Sequence, residues 1–212
     1  MTSFGTACPT WPLRLLALPL LGLGAAGCAR PLERPAYLAY LADPAHGLTH
    51  TQEAGGTTVT CSYRPPDLLV SQELTAEETT ANPAYVDSLR RTYAGKLYCT
   101  LALSRDSAEL ETSLIRDETA RGQAISYLSE GIAHDVYLRG QGQPDSVPAL
   151  AATYARQYGN TGRSTVLLVF PALQLDVQRG FTITYRDTQF GLGPLRFVFA
   201  GRALRDLPAL KI

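Results

Sequence analysis

TVLLVF (165–170), FTITYRD (181–187) and GLGPLRFVFAG (191–201) are three runs of β-branched and aromatic residues near the end of a 212-residue chain, separated by Gly-bearing turns. In the second run Phe181, Ile183 and Tyr185 fall on one face, and in the third Leu195, Phe197 and Phe199 do the same. Alternation with period two is the signature of a strand buried on one side. The uniformly apolar first run fits a strand covered more fully, and LQLDVQ (173–178) alternates as well. Consecutive strands joined by short turns predict an antiparallel meander.

Working back from there, YGNTGR (158–163) reads as a turn, since it lacks the lysine and spacing of a phosphate loop. GQAISYLSEGIAHDVYLRG (122–140) holds β-formers around Gly131 and is expected to be a long bulged strand or a strand pair. The first half is richer in helical signals. Helices are expected at 37–42, ended by Asp43 and Pro44; after Pro65 and Pro66, where proline suits a first turn; from Asn82 and Pro83 to Gly95; and over 107–116 behind Asp106. Two strands interleave with them, TTVTCSYR (57–64) and KLYCTLALS (96–104). The sum is an α+β domain, a predominantly antiparallel β-sheet or decorated β-sandwich, with helices mainly in the first half.

The first 27 residues differ from the rest. Arg14 is their one charged side chain, and it precedes the apolar run LLALPLLGLGAAG, which ends at Gly27. A basic start, a short apolar core and small residues before a cut site define an export signal, too short for a spanning helix. AAGC at 25–28 resembles the lipobox of bacterial lipoproteins. That resemblance implies cleavage before Cys28, a lipid on its sulfur, acylation of the freed amine, and membrane lipid as the partner of the anchored end. Two or more acyl chains make such attachment stable. An ordinary signal cut near Ala26, or an apolar helix of an unexported protein, are the competing readings. Ala29 stands where an aspartate would signal inner-membrane retention, so by similarity the outer membrane, facing the periplasm, is expected.

The domain organisation that follows is a signal peptide over 1–27, an acylated tether over 28–36 and one globular domain over 37–212. YLADPAHGLTHT, VTCSYRPPDLLVSQEL, STVLLVFPAL and GPLRFVFAGRAL resemble stretches of uncharacterised envelope lipoproteins of Bacteroidetes-type bacteria. That resemblance implies a location and no activity.

Charge excludes one class. With 19 basic and 19 acidic side chains the chain is neutral, and loss of Arg14 on processing leaves it so within one charge. Nucleic-acid binding needs a concentrated basic face, so no nucleic-acid partner is expected.

Of four cysteines, Cys8 departs with the signal and Cys28 is committed to lipid. Cys61 shares a strand face with Thr57, Val59 and Tyr63, and Cys99 with Leu97, Leu101 and Leu103. Both thus point with the apolar set, and an oxidising compartment would permit a Cys61–Cys99 disulfide. Two separate buried thiols are the alternative, and a redox or metal role lacks a CxxC or a suitably spaced histidine.

No catalytic constellation is expected. His46 and His50 are four apart, but Pro44 and Gly47 break the helix that would align them. His134 and Asp135, read in a strand, would point to opposite faces. No serine lies in GxSxG, and Glu109, Glu111, Asp117 and Glu118 read as a solvated charged segment. Eleven tyrosines fit either a binding face or the core and margins of a sheet. No cofactor or metal is expected. The leading functional class is a non-catalytic, membrane-anchored envelope lipoprotein that binds or scaffolds another envelope component, with an envelope protein as the partner. The alternatives are a carrier of a small molecule, glycan or lipid, and an envelope hydrolase whose site sequence does not display. An interior apolar cavity would favour the carrier, a convergent cleft the hydrolase, and a closed core with an exposed apolar edge the partner-binding module.

Overall fold

The computed structural model describes residues 1–2, 30–75 and 82–212; Cys28, most of the export segment, and Glu77 and Glu78 lie outside them. The fold is α+β and antiparallel. Strands β1 (Thr49–Ala54), β2 (Thr57–Tyr63), β3 (Lys96–Arg105), β8 (Ser164–Pro171) and β7 (Ala151–Tyr154) lie side by side in that order, with the two-residue β4 (Ala108–Glu109) added to β3. The second sheet has the order β10 (Pro194–Ala200), β9 (Gly180–Arg186), β5 (Val136–Gly140) and β6 (Val147–Pro148).

One segment joins the two sheets. Ala149 donates its N–H to Val136 O at 3.0 Å in the small sheet, and the next residue, Leu150, donates to Val169 O at 2.7 Å in the large one. The chain from 147 to 154 is thus a strand that changes sheets at a single peptide. On the far side β1 and β10 are tied by a side chain, Gln52 Nε2 donating to Arg196 O at 2.7 Å.

The alternation read in the sequence decides what goes inside. Val59, Cys61 and Tyr63 of β2, the odd positions 97–103 of β3, and Val166, Leu168 and Phe170 of β8 form one wall. Val136 and Leu138 of β5 with the inward residues of β9 and β10 form the other. Phe181 bridges them, stacked on Phe199 with ring centroids 4.7 Å apart and edge-on to Tyr63 at 5.7 Å. The core is closed.

Helices α1 (Arg34–Ala42), α2 (Pro66–Glu73) and α3 (Pro83–Tyr93) lie in the first half as expected. α1 sends Tyr37 and Leu41 into the core, while α2 and α3 meet through Val70, Val86 and Leu89. α3 begins where the Asn82 side chain accepts from Tyr85 N at 3.1 Å, the cap that its sequence position suggested.

Several expectations are corrected. The segment 122–135 is helical, not a strand. Asp117 caps α5 (Glu118–Ser126) by accepting from Ala120 N at 2.9 Å, a wider turn follows at Tyr127–Gly131, and α6 (Ile132–Asp135) ends the run. Ala124, Leu128 and Ile132, each four apart, are all fully buried, and this helical period outweighs the β-formers around it. Gly131 serves packing: a Cβ there would sit 2.8 Å from the Tyr127 ring. The helix expected over 107–116 shrinks to α4 (Leu110–Ser113), because Asp106 and Ser107 turn with positive φ into β4. LQLDVQ folds as a turn and a short 3-10 helix rather than a strand, with Leu175 N bonded to Ala172 O at 3.1 Å.

The proline-bearing stretch expected to be a loose spacer is fixed from Leu32 onward. Leu32 N donates to Ala209 O and Lys211 N donates to Leu32 O, both at 2.8 Å, making a parallel bridge to Leu210. Lys211 Nζ and Glu33 Oε1 add an ion pair at 2.6 Å.

Candidate functional site

Two places concentrate features that the core does not require. The first is a cleft of about 530 Å³ at the seam where the chain changes sheets, lined by Leu138, Val147, Pro171, Leu173 and Leu175 with Gln143, Gln174 and Asp145 on its rim. β5 and β6 supply one wall and the end of β8 with its following turn the other. Gln143 Nε2 donates to Gln174 O at 3.1 Å, linking the two loops. Leu173 is 88% exposed, Leu150 62% and Val147 36%. Val147 and Leu173 line this concavity, and Leu150 is exposed three residues beyond Val147; apolar side chains left exposed beside a concavity are the usual character of an interaction surface.

The second place is a buried carboxyl pair. Glu109 and Glu111 are 1% and 3% exposed, so reading them as part of a solvated helix is overturned. Strand β4 directs Glu109 beneath the turn at 158–162, where Oε2 accepts from Gly159 N at 2.8 Å and Oε1 from Thr161 N at 3.2 Å and Thr161 Oγ1 at 3.1 Å. Glu111 accepts from the hydroxyls of Tyr154 and Ser164, and Ser164 Oγ in turn accepts from Leu110 N at 2.9 Å. Burial alone would raise Glu109, but the hydrogen bonds donated by Gly159 and Thr161 outweigh it and hold its carboxyl below the usual value. Burial, followed by the bond to Glu111, pushes the Tyr154 phenol up. The turn needs Gly162, which has φ +67° and whose Cβ would lie 2.8 Å from Ser107 O.

This cluster is fastening chemistry. Each Glu109 oxygen faces turn donors, Glu111 is enclosed by hydroxyls, and neither carboxyl lines the seam cleft. Sequence could have flagged the pair by one signal: Glu109 and Glu111 flank Leu110 in a short stretch that follows a turn, where the 2.0 period is too brief to register.

Two of the three histidines are occupied structurally, and His134 is exposed. His46 stacks on Tyr40 with centroids 3.6 Å apart and its Nδ1 is 2.9 Å from Tyr40 O. His50 Nε2 lies 3.1 Å from Gly47 O and its ring meets Phe199 edge-on; burial lowers its basicity. His134 and Asp135 end a helix, and Asp135 Oδ2 accepts from Tyr127 at 2.7 Å and Thr188 at 2.6 Å rather than orienting the histidine. Tyr185, deep in the core, donates to Asp187 Oδ1 at 2.8 Å. The tyrosines do not gather on one face: Tyr37, Tyr63, Tyr98 and Tyr185 are buried, and Tyr85 and Tyr158 are exposed at separate places. Among the described residues no group of three or more His, Cys, Asp or Glu could hold a metal ion.

Cys61 and Cys99 point inward and are fully buried, but they are free thiols in this structure. The register explains it. Cys61 opposes Leu101, and Cys99 opposes Tyr63, so the cysteines are diagonal neighbours. Diagonal Cα atoms in an antiparallel pair lie about 7–8 Å apart, beyond the usual disulfide range of about 4.4–6.8 Å. Burial and the bond to Cys61 raise the Cys99 thiol, which keeps it protonated and unreactive. Both thiols are expected to resist iodoacetamide in the folded protein and to react fully after denaturation without reductant; a denatured chain that gains no label would establish a disulfide.

Comparison with protein-family models, curated proteins and solved structures finds no match. Among the described residues no helix is long and apolar enough to cross a membrane.

Proposed function

We propose that this chain is a non-catalytic envelope lipoprotein, acylated at Cys28, whose domain binds an envelope protein through the cleft at the sheet seam. The outer membrane, with the domain facing the periplasm, is the location that Ala29 favours. The observation that carries the binding reading is Leu173, the most exposed large apolar side chain of the folded domain at 88%, which together with Val147 lines a largely apolar cleft. A carrier would need space between the sheets, where Phe181, Phe199 and Tyr63 already touch. A hydrolase would need the carboxyl pair to meet a cleft, and its hydrogen bonds hold it to the turn above it.

The test has two arms. A photoreactive amino acid at position 173 is expected to give a discrete protein adduct in intact envelopes, and Val147→Glu is expected to abolish it; no adduct, or an adduct indifferent to Val147→Glu, overturns the seam as the binding surface. Cys28→Ala is expected to remove the acyl mass from the N-terminal peptide and to release the domain from membranes; a chain still acylated, or never acylated, overturns the anchor.

A further inference from the structure

The large sheet has a second face that packing leaves open, and its composition is unlike the rest of the surface. The register aligns Thr51, Thr60, Ala102 and Thr165 in one row across β1, β2, β3 and β8, and Thr49, Ser62, Thr100 and Leu167 in the next. Two adjoining depressions lie on these rows. One, of about 270 Å³, has Arg64 and Arg163 at its margins with Ser62, Thr100 and Thr165 on its floor. The other, of about 390 Å³, continues past Thr58 and Ser104 and shares Thr60, Ala102 and Arg163 with the first. Together they make a trough that spans Ser62 to Thr58 along β2, about 13 Å at 3.3 Å per residue. Ala102, the smallest side chain in its row, sets the depth.

Thr49, Thr58, Thr60, Ser62 and Ser104 are hydrogen-bonded within the protein, but the centre of the trough keeps two unspent hydroxyls and two unpaired cations. Thr100 and Thr165 make no side-chain hydrogen bond among the described residues, and neither Arg64 nor Arg163 forms an ion pair there. Arg64 Nε is buried without a hydrogen-bond partner, an expensive condition for a guanidinium. Burial, and behind it the positive charge of Arg34, weighs against the Arg64 cation. No carboxylate lines either depression; Glu53, on the neighbouring edge strand, is engaged by Thr58 at 2.8 Å. Two cations without counter-charges above a floor of hydroxyls call for an anion that itself carries hydroxyls. The single aromatic side chain at the trough, Tyr63, is buried in the core, so a nucleic-acid strand would find no stacking platform.

We infer that this trough binds a sugar acid, with its carboxylate held by Arg163 and its hydroxyls by Thr100 and Thr165, and with Arg64, six residues away along β3, placed to meet the acid of a further unit. The site is separate from the seam cleft and shares no lining residue with it. A sugar acid could arrive free or as a unit of an acidic glycan, and the trough's length suits either.

The decisive measurement is calorimetric titration of the full chain, purified in detergent, with galacturonic acid, with its trimer and with neutral maltotriose. Saturable binding of at least one uronate, weakened by salt and missing with maltotriose, is expected. Arg163→Gln, at an exposed position whose side chain supports no packing, should weaken it at least tenfold, and Thr165→Val severalfold, with unchanged melting temperatures. Binding of the trimer alone identifies a glycan chain, and equal binding of the monomer a free sugar acid. No uronate binding, equal maltotriose binding, indifference to Arg163→Gln, or equally tight binding of a polyglutamate peptide would each overturn the assignment.

Discussion

Glu109→Ala should destabilise the domain by about 3 kcal/mol, because it strands three donors of the 158–162 turn at once and buried hydrogen bonds to charged groups are worth about 1.5–3 kcal/mol each. The cost stays below the sum because the turn is at the surface, with Tyr158 75% exposed, and its freed N–H groups can reach water. Glu109→Gln separates this from the pH effect. The wild-type carboxyl is held below its unfolded value, so the ionised form contributes stability that is complete above the ordinary glutamate value of about 4.3. That contribution is lost as pH falls through the lower folded value. Urea midpoints measured between pH 7 and pH 3 should therefore show the wild type losing its advantage over Glu109→Gln on acidification. A constant difference across that range would mean that Glu109 does not titrate with the fold. Since the turn is the element released, hydrogen exchange at Gly159 and Thr161 should accelerate before the sheets respond.

Phe181→Ala is expected to cost more, about 3–5 kcal/mol as for other buried phenylalanines. Its ring is 1% exposed and touches both Phe199 of its own sheet and Tyr63 of the opposite one, so truncation opens a void where the sheets are joined. Native domains are stable by about 5–15 kcal/mol in total, and the variant should sit near the lower edge of folding. Chemical denaturation gives the number. A double-mutant cycle with Phe199→Ala should show coupling, since both changes empty one space; strict additivity would mean that the stacked rings do not support each other.

The parts of the fold legible in the sequence were those with one strong period and one competing neighbour at most. β9 and β10 alternate without interruption, and Phe181, Ile183, Phe197 and Phe199 are buried as their spacing requires. The segment 122–135 reads as strand because Ile125, Tyr127 and Ile132 carry strand propensity, while its helical signal lies in three residues spaced by four. Propensity is local, and what won was a face to bury. The strand that changes sheets is illegible for a different cause: GQGQPDSVPAL (140–150) is mostly polar and turn residues with no alternating run, and the exchange at Ala149 and Leu150 depends on partners far away in sequence. The same holds for both sites. Exposed Leu173 is an unremarkable leucine until the turn lifts it beside Val147, and the hydroxyl rows exist only once four strands are in register. Glu109 and Glu111 look solvated because charge is usually solvated, and only tertiary donors reverse that.

The bridge between Leu32 and Leu210 bears on how the molecule is handled. On the proposed anchoring at Cys28, three residues separate the lipidated cysteine from Leu32, the first fixed point, a reach of at most about 14 Å over four Cα–Cα steps. Because Lys211 clasps Glu33 at that same point, such an anchor would put Ile212 on the same side of the domain as the lipid. A reporter fused after Ile212 would therefore be wedged towards the lipid and would load the clasp, whereas an epitope inserted in the exposed 157–160 turn would stand on the body of the domain, clear of the anchor's point of entry.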